Sequence, residues 1–164
     1  MAINKQKVFL SDKNMEHIWS LLCRDSSIDI DNNLLSIFGC FEKIELGVSL
    51  NNVSEDSKLV APIDFQIVNF WEATETDKDS VFTIKIELED PNNKILPMVE
   101  KEFNIKKGTA SFRNRMKFQG LTISISGKYR FNIYKKDEND KKYRAVASLP
   151  LLIQINKIAQ TNGN

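Results

Sequence analysis

The segment Leu21–Ile44, LLCRDSSIDIDNNLLSIFGCFEKI, reads as an apolar strand, a polar acidic turn and a second apolar strand interrupted once by Gly39. Leu21, Leu22 and Cys23 end the first apolar piece. Leu34, Leu35, Ile37, Phe38, Cys40, Phe41 and Ile44 make up the second. Between them, Arg24–Asn33 is rich in Asp, Asn and Ser, whose side chains bond nearby backbone and so turn chains. A glycine inside a strand pattern marks a bulge or a close backbone approach. The near-continuous apolar run predicts a hairpin buried on both faces, central to the core.

Working outward, period-two alternation recurs. It is cleanest over Val81–Glu89, where Phe82, Ile84, Ile86 and Leu88 alternate with Thr83, Lys85, Glu87 and Glu89. Ala61–Trp71 alternates with an expected slip at Val68–Asn69. Lys94–Ile105 carries Pro97, the mark of an edge or a bulge. Over Ala110–Gln119, Phe112, Met116 and Phe118 face in and Arg113, Arg115 and Lys117 face out. Parity then flips at Gly120. Lys128–Lys136 places Tyr129, Phe131 and Ile133 on one side, and Asp137–Asp140 reads as a hairpin loop. Lys141–Ile155 is expected to keep Tyr143, Ala145, Ala147, Leu149, Leu151, Ile153 and Ile155 on one parity throughout.

The pattern predicts an all-β, antiparallel two-sheet sandwich of seven to eight strands over residues 18–156. It is preceded by a short N-terminal extension, residues 1–17, and followed by a polar tail, 157–164. A helix over Lys13–Trp19 is the alternative to an early strand at Ile18–Cys23. Glu45–Val60 reads as a loop.

The segment Leu21–Ile44 is similar to the opening of an uncharacterised prokaryotic family of immunoglobulin-like β-sandwich domains. In that family a short strand ends near a Cys or Asp, an acidic turn follows, and the next strand carries an internal glycine. Gly127-Lys128-Tyr129-Arg130-Phe131 resembles strand F of immunoglobulin-like domains, and Asp90–Lys94 suits the family's Asp-Pro turn. Leu34 departs from the family, which more often shows Lys there, as does Asn93, where Gly is common. The resemblance spans Ile18–Ile155. It implies a fold and no activity.

The chain holds one histidine, His17, so a nucleophile activated by a histidine base finds no support. There is no phosphate-cradling glycine motif. No cofactor is expected. One His and the two cysteines, Cys23 and Cys40, do not make a zinc site unless carboxylates fill in. The cysteines read as small buried hydrophobes that are also candidates for cross-strand neighbours. Asp25, Asp29 and Asp31 raise the question of a cation. A calcium loop opening at Asp29 would need Gly at Leu34 and Glu at Cys40, and neither is present. Glu87 and Glu89 read as a solvated pair, and Phe70 and Trp71 as core or edge aromatics. The N-terminus lacks a signal-peptide core and no apolar run approaches ~18 residues, so a cytoplasmic protein without a membrane segment is expected.

Net charge is +1, unevenly divided. Residues 1–100 hold nine basic and eighteen acidic side chains, and residues 101–164 hold fourteen and four. If the strands carrying them are neighbours, Arg113, Arg115, Lys117, Lys128 and Arg130 would form one basic patch. The sequence therefore predicts a non-catalytic protein-interaction or self-associating module. The alternative is a binder of nucleic acid or another polyanion, weakened by the lack of outward aromatics for stacking.

Overall fold

The computed structural model describes residues 15–49 and 59–158; Val8–Leu10, residues 50–58 and the segment after Ile158 lie outside them. The described strands are β1 (Met15–Ile28), β2 (Leu35–Cys40), β3 (Lys43–Ser49), β4 (Leu59–Ala73), β5 (Ser80–Glu89), β6 (Ile95–Ile105), β7 (Ser111–Ile123), β8 (Gly127–Asp137) and β9 (Arg144–Ile158). They form two sheets, ordered β2-β1-β4-β7 and β3-β9-β8-β5-β6. Every pairing is antiparallel except β3 with β9.

This order is the immunoglobulin scheme, in which strands A, B and E share one sheet and C, F and G the other. β1, β4 and β7 occupy the first set of positions, β5, β8 and β9 the second, and β6 lies beside C. Tyr129 near the start of β8 donates its hydroxyl to the Ile125 carbonyl at 2.9 Å and accepts from the Ser124 and Ile125 amides. That closure is the tyrosine corner of such domains. The implied fold therefore holds. The inter-sheet disulfide of antibody domains has no counterpart, because both cysteines lie in β1 and β2.

The core sits between β4, β5, β8 and the strands beside them. Phe65 stacks on Phe118 at 5.0 Å and meets Phe131 across the sandwich at 5.6 Å. Trp71 meets Phe82 at 5.2 Å. Trp71 is fully buried and its indole N–H donates to Asn114 Oδ1 at 2.8 Å, which makes it a core residue. Burying such aromatic area contributes most of the cohesion of a sandwich.

The opening hairpin is placed differently from its expectation. The turn is confined to 29–34, and β1 runs on through Arg24–Ile28, residues expected in the turn. β2 is an edge strand with most of its residues exposed, Phe38 at 53%. The apolar run was two short strands in different sheets: Phe41-Glu42 breaks it, and Lys43–Ser49 crosses to pair with β9. This split gives nine strands rather than seven or eight, and makes a strand of the start of the expected loop. β1 also starts at Met15, where a helix or extension was considered.

Parity explains the remaining differences. In β4, Asn69 keeps the inward side between Ile67 and Trp71, so there is no slip. Pro97 lies in edge strand β6 beside a bulge, where Ile86 pairs Val99 and Glu87 pairs Pro97. Gly120, at φ +71°, sits at the bulge where Ala61 pairs Leu121 and Asp64 pairs Gln119. In β9 the parity is not continuous. Ile133 pairs Ala147 but Tyr134 pairs Ala145, so Val146 is bulged and Arg144, opposite inward Lys135, turns in while Tyr143 turns out.

Candidate interaction surface

Among the described residues β7 is the last strand of its sheet and β6 the last of the other, and Phe103 of β6 meets Phe112 of β7 at 5.1 Å, so these two edges lie on the same side of the sandwich. A groove of about 520 Å³ runs between them. Phe112 through Phe118 all line it, inward and outward residues alike, so it follows the backbone edge of β7 rather than one face. Val99, Lys101 and Phe103 form the β6 wall. The lining holds four cations, Lys101, Arg113, Arg115 and Lys117, and no carboxylate. None of the four pairs with a carboxylate among the described residues.

Two of these cations also hold the opening hairpin. Arg115 donates to the Ser26 carbonyl at 2.9 Å and Arg113 to the Asn33 carbonyl at 3.1 Å. The end of the β1–β2 hairpin therefore leans over the outer face of its own sheet. Ser26 Oγ donates to Gln66 Oε1 at 2.6 Å, and Gln66 Nε2 donates to Asp25 Oδ1 at 2.6 Å. This cover is consistent with the burial of Gln66 and Val68 on that outer face. Lys117 is exposed and has no such tether.

The expected five-residue patch does not form. Arg113, Arg115 and Lys117 lie on β7, whereas Lys128 and Arg130 lie on β8, in the middle of the other sheet. Outward residues of two facing sheets point in opposite directions. Arg130 also stands 4.0 Å from Glu89, which accepts from Asn132 as well. Glu87 pairs with Lys85 at 2.8 Å. Asp29 spends one carboxylate oxygen on the Asp31 and Asn32 amides, and Asp25 on Gln66 and the Ser26 amide.

The sequence reading missed a charged cluster inside the sandwich. The inward alternation of Tyr129, Phe131 and Ile133 continues through Lys135 and Asp137. Lys135 is fully buried, its ammonium against the Asp137 carboxylate and 5.3 Å from the Phe82 ring centre. Arg144 Nη2 reaches the other Asp137 oxygen at 3.3 Å. Burial holds the Lys135 pKa below its ordinary value, and Asp137 pulls it back up. The signal was available: two more steps of the same alternation lead to Asp137. A polar chain lies at the same end of the sandwich, where His17 Nε2 meets Ser20 Oγ at 2.7 Å and Ser20 Oγ meets Asn69 Oδ1 at 2.5 Å. The His17 ring packs edge-on to Trp71 at 5.0 Å. Burial lowers the His17 pKa, partly offset by the Trp19 carbonyl. Among the described residues no group of three or more His, Cys, Asp or Glu side chains could hold a metal. No described helix is long and apolar enough to cross a membrane.

The model of a family of unknown function, DUF6941, matches residues 18–146. The chain belongs to this family. No curated protein matches the chain. Among solved structures it is similar to an immunoglobulin-like protein from Pseudomonas aeruginosa at 9% identity and a TM-score of 0.32, over 85% of this chain and 96% of that one. The fold of this DUF6941 member rests on its strand order and the Tyr129 corner rather than on that likeness.

Proposed function

We propose that this domain is a non-catalytic, cytoplasmic protein-interaction module whose docking surface is the β7 edge and the groove beside it. The observation that supports this reading is the lining of that groove: four cations with no carboxylate partner among the described residues, five apolar side chains and no carboxylate along the strand edge. An open edge offers a row of backbone donors and acceptors to an incoming strand. Apolar side chains of that strand would pack against Phe103, Phe112 and Phe118, and acidic ones would meet Lys101 and Lys117. The occupant is therefore an extended segment alternating acidic and apolar residues. Pairing of β7 with its own copy would set Arg113, Arg115 and Lys117 against like charges, which disfavours self-association through this edge.

The test uses a labelled synthetic peptide alternating Glu with Val or Phe, followed by fluorescence anisotropy. Binding is expected to weaken with salt and to fall at least about tenfold in a Lys101→Glu, Lys117→Glu variant, the effect of ~1.4 kcal/mol of lost charge complementarity. These two lysines are chosen because neither holds the hairpin. A Lys128→Glu, Arg130→Glu variant on the other sheet should bind as the parent does. Equal loss in both variants, or no binding at all, would reject the edge as the docking surface.

A further inference from the structure

The two cysteines lie directly opposite each other on β1 and β2, Cys23 against Cys40. The Phe41 amide donates to the Leu22 carbonyl at 3.3 Å on one side of this pair, and the Asp29 amide to the Leu34 carbonyl at 2.9 Å further along the same register. Residues directly opposite in an antiparallel ladder stand roughly 4.5–5.5 Å apart at Cα, whichever kind of pair they form. That separation lies within the range a disulfide spans, roughly 4.4–6.8 Å. One step further along, Gly39 has φ +61°, and a Cβ there would meet the Arg24 side chain at 3.1 Å, so this position beside Cys40 suits glycine. Both thiols are free. Cys23 is fully buried and Cys40 is exposed. Burial pushes the Cys23 thiol up, and the proximity of Cys40 adds to it.

We propose that Cys23 and Cys40 are a site of reversible oxidation, closing an intrachain cross-strand disulfide by exchange with a small disulfide such as oxidised glutathione. The asymmetry in exposure orders the steps. The Cys40 thiolate attacks one sulfur of the small disulfide and displaces one thiolate, leaving a mixed disulfide at Cys40. Cys23 then gives up its proton to solvent, and its sulfur attacks the Cys40 sulfur and displaces the second small thiolate. Two protein thiols are oxidised to one disulfide while the small disulfide is reduced to two thiols. The bond would fasten edge strand β2, which among the described residues pairs with β1 alone, and with it the turn that receives Arg113. With one sulfur at the surface, the bond stays open to the reverse exchange.

The folded full-length chain is equilibrated in glutathione buffers of increasing oxidised fraction, then trapped with iodoacetamide in denaturant, which exposes buried Cys23, and weighed intact. The expected change is from two alkylated thiols to none, with loss of the mass of two hydrogens, no glutathione retained, and full reversal on return to reduced glutathione. A Cys23→Ser variant should instead keep one glutathione on Cys40. The proposal is overturned if the parent chain also stops at the Cys40 adduct, crosslinks to a second chain, or keeps both thiols at every buffer composition.

Discussion

Two sets of cations occupy neighbouring strands in sequence and opposite environments in space. Arg113, Arg115 and Lys117 alternate outward along β7. They carry no counter-charge among the described residues, and two of them bridge to hairpin carbonyls. Lys135 and Arg144 turn inward from β8 and β9 and share one carboxylate, Asp137. The strand period, reset for Arg144 by the bulge at Val146, decides which side a charge takes. An outward cation remains available to a partner. An inward one must be matched within the fold, because an unpaired buried charge is costly.

The largest expected effect breaks the inward set. Asp137→Ala leaves two inward cations without a counter-ion and should lower unfolding free energy by about 3–5 kcal/mol, read from urea melts. Replacing the trio together with apolar residues of similar size should restore most of that loss. A loss below ~1 kcal/mol for Asp137→Ala would mean that the cluster is effectively solvated.

A smaller effect probes the outward set. Arg115→Ala removes the bond to the Ser26 carbonyl and should cost about 1 kcal/mol, with faster amide exchange confined to residues 26–35. Unchanged exchange there would show that the hairpin is held by Arg113, Ser26 and Gln66 without Arg115.

The smallest effect sharpens the parity switch at Val146. Tyr143, turned outward, donates to Glu100 at 2.6 Å, and burial together with Glu100 pushes its pKa up to about 12. A folded pKa raised above the ordinary value near 10 contributes stability that is fully present below pH 10. That contribution is lost as pH rises from 10 to about 12, and Tyr143→Phe should flatten the slope in that window. A slope unchanged in the variant would place Tyr143 away from Glu100.

Much of the sandwich was legible from alternation and turn residues. Phe82–Leu88, the Pro97 edge and the Gly120 flip each report a local backbone rule. The misplacements share one cause: tertiary context decides what a run of apolar residues covers. Leu34–Ile44 looked doubly buried, yet it holds one edge strand and the start of a second strand in the other sheet. Reading Asp137 as a loop residue stopped the alternation two steps early and concealed the Lys135 cluster. Arg113, Arg115 and Lys117 alternate outward along β7 as the period indicates, but sequence does not say which strands are neighbours, so Lys128 and Arg130 were grouped with them. Lys101 was not singled out, because only the pairing of β6 with β5 brings the β6 edge beside β7.

The most direct measurement is backbone amide hydrogen exchange on the full chain with and without the alternating acidic peptide. Docking at the open edge predicts new protection at residues 111–119 and 99–103, with 127–137 unchanged. Protection on β8, or along the β2 or β3 edges instead, would contradict it.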